Sequence, residues 1–149
     1  MGQSTNAILC YGFSLTEDDS EQLPWLLDES GDQMDFSDFL AKKADLNMPP
    51  VPWVQDGNND PWYDYWRMKR EIEDKVGVTL VMHCSDEYPM YILAIKDSVH
   101  VAIRGTPELL GQSIPLARVQ GWEKLLSDFC GDAGIPFVQP QWMLCSMWS

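Results

Sequence analysis

The stretch Val78–Arg104, VTLVMHCSDEYPMYILAIKDSVHVAIR, decides the fold. It contains three short runs of β-branched, aromatic and other apolar residues: Val78–Cys84, Met90–Ile95 and Val99–Ile103. Runs of this length are typical of strands and too short for stable helices. The runs are joined by five and three residues. Connections this short suit antiparallel neighbours, because a parallel pair needs a crossover of a dozen residues or more. The stretch therefore predicts a three-stranded antiparallel meander in the middle of a sheet.

Patterns on either side of this stretch add further strands and helices. Strands are predicted at Ala7–Phe13 and Gln141–Trp148, and a weak helix at Phe36–Asp45. A clear helix begins at Asp60-Pro61 and ends before Gly77, since Asp suits the N-cap, Pro the first turn and Gly the end. A last amphipathic helix has apolar residues three and four apart, at Leu116, Val119, Trp122, Leu125, Leu126 and Phe129.

The order of these elements indicates one domain of the α+β class that spans residues 1–149. We expect a mainly antiparallel sheet of about five strands, with two to three helices packed on one face. An acidic insertion, helical or irregular, follows the first strand. At 45% hydrophobic residues the chain is globular, and it has no apolar run of the length that a membrane-spanning helix needs.

The four cysteines and the N-terminus bear on the cellular compartment. The cysteines are scattered without CxxC spacing, at Cys10, Cys84, Cys130 and Cys145. The first residues lack the positive and apolar regions of a signal peptide. The expected location is therefore the cytoplasm, with the thiols reduced.

The charge of the chain is strongly negative and uneven. The formal net charge is −13; residues 1–60 hold 12 acids against 2 bases, and residues 61–149 hold 11 against 8. Between Glu17 and Asp38 there are nine acids and no base. Such a surface repels phosphate backbones and membrane surfaces and attracts basic protein surfaces. Direct nucleic-acid binding is excluded on this ground, because it depends on Lys and Arg that neutralise phosphates.

The acidic segment also carries large apolar residues, which favours a docking surface over a solvated tail. Trp25 lies inside it and Trp53 in the proline-rich loop that follows; each side chain either anchors a partner or seals the edge of the core. The candidate partner-binding residues are Glu17, Asp18, Asp19, Glu21, Trp25, Asp28, Glu29, Asp32, Asp35 and Trp53.

Two stretches, HCSDEYPMYILA (His83–Ala94) and QWMLCSMW (Gln141–Trp148), resemble a group of small uncharacterised proteins encoded by tailed bacteriophages and prophages. Those proteins also open with a short strand ending in a step like Tyr11-Gly12, followed by an acidic segment with tryptophan. The resemblance implies phage origin and expression in the cytoplasm of a bacterial host. It brings no catalytic residue to this chain.

The closest approach to a catalytic signature is His83-Cys84. A cysteine nucleophile needs a neighbouring base. Adjacent strand residues point to opposite faces, which places Cys84 on the core face with Val78, Leu80 and Met82, away from His83. The pattern therefore favours structural roles for both residues.

Arg104 follows the third run. Its guanidinium is able to bind a carboxylate or phosphate through two hydrogen bonds, although such an arginine more often pairs with an acidic residue nearby. No metal site is predicted, because the two histidines and four cysteines lack ligand spacing.

The sequence thus predicts a non-catalytic, acidic phage protein without a cofactor. We expect it to bind and inhibit a basic host protein, such as a nucleic-acid-binding or defence factor, by imitating nucleic acid. One alternative is a small cysteine-dependent hydrolase or transferase that uses Cys84 with His83 or His100. Another is a virion or assembly component. The sequence predicts no oligomeric state.

Overall fold

The computed structural model describes residues 4–15, 23–46, 52, 60–110 and 116–149, apart from the side chains of residues 116–118 and 120. Within these ranges it contains three α-helices: α1 (Phe36–Lys43), α2 (Asp60–Val76) and α3 (Leu116–Ala133). It also contains five strands: β1 (Thr5–Ser14), β2 (Val78–Ser85), β3 (Pro89–Ile95), β4 (His100–Ile103) and β5 (Gln141–Trp148). The α+β class predicted from the sequence is confirmed.

The helices begin and end close to their sequence signals. Helix α2 covers the predicted span and stops before Gly77. The φ of Gly77 is +73°, which is unfavourable for a residue with a side chain. Helix α1 ends two residues earlier than predicted, because Asp45 takes a positive φ of 54°. Its start is capped by Asp35, whose carboxylate accepts a hydrogen bond from the Ser37 N–H at 2.9 Å.

Strand β1 is the centre of the sheet because both of its edges are paired. Residues Thr5–Gly12 pair with β5 along one edge. Along the other edge, Asn6–Leu9 pair with β4 and Gly12–Ser14 pair with β3. All of these pairings are antiparallel, as is the pairing of β2 with β3. The predicted mainly antiparallel sheet of about five strands is therefore present.

One short parallel pairing closes four of the strands into a ring. Cys84 and Ser85 at the end of β2 pair with Met147 and Trp148 of β5. Strands β1, β3, β2 and β5 are thereby joined in a circle, and β4 lies beside β1. The sheet is mixed for this reason. Gly12 stands where β1 meets β3, and a Cβ at this position would overlap the carbonyl oxygen of Leu93.

The predicted meander is wrong at its third strand. Strands β2 and β3 form the expected antiparallel hairpin, but β4 pairs with β1 instead of β3. A short 3-10 helix, Lys96–Ser98, connects β3 to β4. This connection does not reverse the chain; it carries the chain onward along the same edge of β1. A three-residue link therefore does not make its two strands neighbours here.

Ser98 fills the gap between β3 and β4. Its hydroxyl is fully buried, accepts a hydrogen bond from the Tyr11 N–H at 2.8 Å and donates to the Ile95 carbonyl at 2.6 Å. Tyr11 lies between the segments of β1 that pair with β4 and with β3. The hydroxyl thus supplies the bond that a neighbouring strand would otherwise provide.

Two apolar clusters pack on opposite sides of the strands. The first joins the helices to the sheet, with Phe39 from α1, Ile72 from α2 and Leu126 from α3 against Tyr11 and Leu93. The second draws on all four strands of the ring and fills its interior: Ile8, Cys10, Val81, Ile92 and Ala94, with Met143, Cys145 and Met147 packed against them. The prediction that the helices pack on one face is confirmed.

Candidate partner-binding site

The acidic segment after β1 contains a hydrogen-bonded turn with exposed carboxylates. Leu27 and Gln33 form an isolated antiparallel bridge, and the chain reverses between them. Oδ1 of Asp28 accepts hydrogen bonds from the N–H groups of Ser30 and Asp32 at 2.8 and 3.0 Å. The side chains of Asp28, Glu29 and Asp32 are exposed. We call residues 28–32 the acidic turn.

Asp35 has a structural role besides its charge. It caps α1, and its carboxylate lies 3.2 Å from the ammonium of Lys69, which is buried in α2. Burial by itself would raise the pKa of Asp35, but Lys69 and the hydrogen bonds from Ser37 outweigh it and hold the pKa below its ordinary value. Asp35 is therefore engaged within the fold and contributes less than the acidic turn to any partner.

Trp25 lies beside the acidic turn, half-buried. Its ring meets Phe36 and Phe39 edge to face, with centroids 6.3 and 5.2 Å apart. It also lines a shallow cleft of about 390 Å³ together with Lys42 and Lys43. Of the two interpretations left open by the sequence, this packing favours a seal on the core.

Five of the predicted partner-binding residues lie outside the described residues: Glu17, Asp18, Asp19, Glu21 and Trp53. The structure brings together the other five, Trp25, Asp28, Glu29, Asp32 and Asp35, within one stretch between β1 and α1.

The placement of Cys84 corrects one detail of the sequence analysis. The face that it shares with Val78 is core only near the start of β2; Met82 is 39% exposed and Cys84 is exposed as well. At the end of β2, Cys84 adopts a φ of 77°, which breaks the alternation of the strand, and it pairs with Pro89 of β3 and with Met147 of β5. The predicted burial of Cys84 is therefore wrong.

No general base is placed beside this thiol by the strands. His83 points to the opposite face, where its Nε2 is buried without a hydrogen-bond partner among the described residues, and burial lowers its pKa. His100 lies on β4, and strands β1 and β5 separate β4 from β2. The arrangement gives Cys84 access to solvent without a neighbouring histidine.

The other three thiols are less accessible than Cys84, because Cys10 and Cys130 are buried and Cys145 is partly buried. Burial raises the pKa of Cys10 to about 12 and that of Cys130 to about 11. Burial also raises the pKa of Cys145. Since the thiolate is the nucleophile, such thiols are inert at neutral pH.

The described part of the chain is informative about metal ions and membranes. No group of three or more His, Cys, Asp and Glu side chains there is arranged to hold a metal ion. No helix within the same residues has both the length and the apolar character that crossing a membrane requires.

Sequence reasoning missed two features near the site. One is the ammonium of Lys69, which pairs with Asp35 and Asp38 and lies over the rings of Tyr65 and Trp66. The signal for it is a lysine among the apolar positions of a helix, since Lys69 shares the buried side of α2 with Tyr65 and Ile72. The buried Ser98 had no comparable signal, because its partner Tyr11 is 87 residues away.

No family model matches the chain, and neither the curated proteins nor the solved structures contain a match.

Proposed function

We propose that this is a non-catalytic, cytoplasmic protein of phage origin that binds and inhibits a basic protein of the host. In this proposal its carboxylates occupy the surface with which the host protein would hold nucleic acid. The proposal rests on the negative charge of the chain, −13, and on the concentration of acids in its first 60 residues. Complementary charge steers association and excludes partners of like charge.

The observation that carries the proposal is the set of hydrogen bonds within the acidic turn. Its backbone is held by the Asp28 carboxylate, by the bond from the Asp28 N–H to the Asp32 carbonyl at 2.8 Å, and by the bridge of Leu27 to Gln33. Exposed carboxylates on a preformed turn lose little conformational freedom on binding, so more of their attraction is realised as affinity.

Glu29 and Asp32 are the residues to change in a test. Their side chains are exposed, whereas Asp28 and Asp35 hold the local structure. Glu29→Lys with Asp32→Lys therefore reverses the charge of the turn and preserves its backbone bonds. Glu71→Lys with Glu87→Lys is a matched control, because it changes the net charge equally at exposed acids of α2 and of the loop between β2 and β3.

The experiment is affinity capture from host lysate, followed by titration of the purified captured protein with each variant and with DNA as a competitor. We expect a basic nucleic-acid-binding protein that releases DNA when this chain binds. The acidic-turn variant should bind it about tenfold more weakly or worse, roughly 1.4 kcal/mol, and the control should bind within about threefold of wild type.

Equal weakening by the two variants would mean that net charge alone drives the association, and the acidic turn would lose its role. A captured partner that keeps its DNA would contradict the proposed inhibition.

A further inference from the structure

The interior of the four-strand ring is rich in sulfur. Side chains alternate across each strand, so the members of the second apolar cluster show which positions of a strand point inward. These inward positions hold the following sulfur-containing residues: Cys10 on β1, Met90 on β3, and Met143, Cys145 and Met147 on β5. Cysteine and methionine fill cores as ordinary apolar residues, so the sulfur atoms alone do not indicate a site.

His83 brings a nitrogen to the same interior. It occupies the next inward position of β2 after Val81, whose side chain belongs to the second apolar cluster. Its Nε2 atom is buried and has no hydrogen-bond partner among the described residues. Nearly all buried polar atoms in proteins have such a partner, and a bound ion is one of the recognised explanations for an exception.

The pairing of β2 with β5 places this nitrogen beside two of the sulfur atoms. Cys84 pairs with Met147 in the parallel register, so His83, one residue earlier, lies level with Ser146. Cys145 and Met147 flank Ser146 and both point inward. Adjacent strands are only about 4.8 Å apart. The imidazole therefore adjoins one thiol and one thioether, and we call these three residues the sulfur–imidazole cluster.

The cluster lies at an accessible end of the ring. His83, Cys145 and Met147 are each partly exposed, whereas Ile8 and Cys10 further inside are buried. A small ligand can therefore reach the cluster from solvent without crossing the packed interior.

The donor atoms select a soft metal ion. Thiolate and thioether sulfur favour Cu(I), and imidazole suits copper as well. Calcium and magnesium ions require oxygen ligands, and the inward positions of the four described strands carry no carboxylate. Methionine supplies the third ligand, so the cluster is compatible with the lack of any group of three His, Cys, Asp and Glu side chains in the described residues.

The charge of the complex distinguishes Cu(I) from Zn(II). One thiolate and one monovalent ion form a neutral complex, which an apolar interior tolerates. Zn(II) would leave a positive charge there, and its structural sites use four protein ligands. The net charge of −13 also attracts cations to the molecule.

We propose that the sulfur–imidazole cluster binds one Cu(I) ion through Nε2 of His83, Sγ of Cys145 and Sδ of Met147. The Cys145 thiol releases its proton to solvent as the copper–sulfur bond forms, and copper remains Cu(I) throughout. This inference does not depend on the proposed function.

The test is a titration of the reduced full chain with Cu(I) under anaerobic conditions, in competition with bicinchoninate, a chelator whose Cu(I) complex is coloured. Every protein carries Cys84→Ser, because the exposed Cys84 thiol could bind copper by itself. One Cu(I) should bind per chain. His83→Phe and Met147→Leu, which preserve the size of the side chains, should each weaken binding at least roughly tenfold.

His100→Phe and Met82→Leu are the matched controls. They replace a histidine and a methionine that lie on the outer faces of β4 and β2, and they should bind Cu(I) as the Cys84→Ser protein does. Circular dichroism checks that every variant folds.

Nuclear magnetic resonance of the Cys84→Ser protein gives a second readout that needs no change to the cluster. Ag(I), a soft ion of the same charge, should shift the Nε2 resonance of His83 and the methyl resonance of Met147. Unshifted resonances would overturn the proposal. So would Cu(I) binding that both His83→Phe and Met147→Leu leave unchanged, since other sulfur atoms, such as that of Cys10, would then hold the ion.

Discussion

Ser98 shows how one hydroxyl can determine the path of a chain. It lies where β1 passes from β4 to β3 and bonds to the backbone on both sides of that gap, at Tyr11 and at Ile95. An apolar side chain here would leave the Tyr11 N–H buried without a partner. Such an orphaned group costs about 1–3 kcal/mol.

We predict that Ser98→Ala lowers the free energy of unfolding by about 2 kcal/mol, because the Tyr11 N–H loses its acceptor in a site that water does not reach. Urea unfolding monitored by circular dichroism measures this change. Ser127→Ala, at an exposed position of α3, is the control and should stay within about 0.5 kcal/mol of wild type. A Ser98→Ala protein as stable as the control would show that the hydroxyl is dispensable.

At the scale of elements, the helices follow from local signals and the strand pairing does not. Helix α2 starts at Asp60-Pro61 and ends before Gly77. Both signals are local, because capping and a positive φ are properties of a few adjacent residues. The hairpin of β2 and β3 is local as well. The place of β4 depends on β1, about 90 residues earlier, and on Ser98. A periodicity argument has no access to such contacts, which is why the third strand of the meander was misplaced.

The candidate site shows the same difference between local features, which the sequence predicts, and features that depend on the fold. The acidic character of the segment could be recognised in the sequence, because charge is a property of single residues. The turn at residues 28–32 could not, because its hydrogen bonds and the bridge of Leu27 to Gln33 appear only in the structure. Cys84 was misassigned because strand alternation assumes an extended backbone, whereas Cys84 has a φ of 77°.

The contact of α1 with α2 contains a buried ammonium, that of Lys69, with two carboxylate partners. Lys69 Nζ lies 3.2 Å from Asp35 and 3.6 Å from Asp38. Burial lowers the pKa of Lys69, but the hydrogen bond with Tyr65 and the two carboxylates outweigh it, so the pKa is raised above its ordinary value. Asp35 has the opposite shift, a lowered pKa.

We predict that Asp35→Asn destabilises the protein by about 1–2 kcal/mol at pH 7, because Asn preserves the cap but withdraws a charge from a buried ammonium. A carboxyl with a lowered pKa contributes stability above its ordinary pKa of 3.8, and that contribution is lost as the pH falls further. The difference between wild type and Asp35→Asn should therefore shrink between pH 5 and pH 3, as measured by urea unfolding.

Asp64→Asn is the control for this prediction. Asp64 forms an exposed pair with Arg67 within α2 and should matter by less than about 0.5 kcal/mol at either pH. Equal effects of the two substitutions would mean that the pair with Lys69 is no stronger than a surface pair.

On the scale of the whole molecule, the net charge works against the fold that carries it. A charge of −13 on 149 residues repels itself in the compact state, and the acidic first 60 residues concentrate that repulsion. If these carboxylates served only to keep copies apart, they would have no reason to cluster. Under the proposed function, a basic partner relieves the repulsion on binding, so part of the affinity comes from strain that the free protein carries.

We predict that salt stabilises the free protein. Raising sodium chloride from about 0.05 to 0.5 M shortens the Debye length from roughly 14 to 4 Å, and the midpoint of thermal unfolding should rise by several degrees because the self-repulsion is screened. The protein concentration should be about 2 µM, so that contacts between molecules contribute little.

A variant with less negative charge provides the control. Combining Glu29→Lys, Asp32→Lys, Glu71→Lys and Glu87→Lys adds two positive charges at each site and brings the net charge from −13 to −5. That variant should melt higher than wild type at low salt and respond less to added salt. The same salt response in both proteins would show that the ions act through general exclusion from the surface. Repulsion among the carboxylates would then not destabilise the fold.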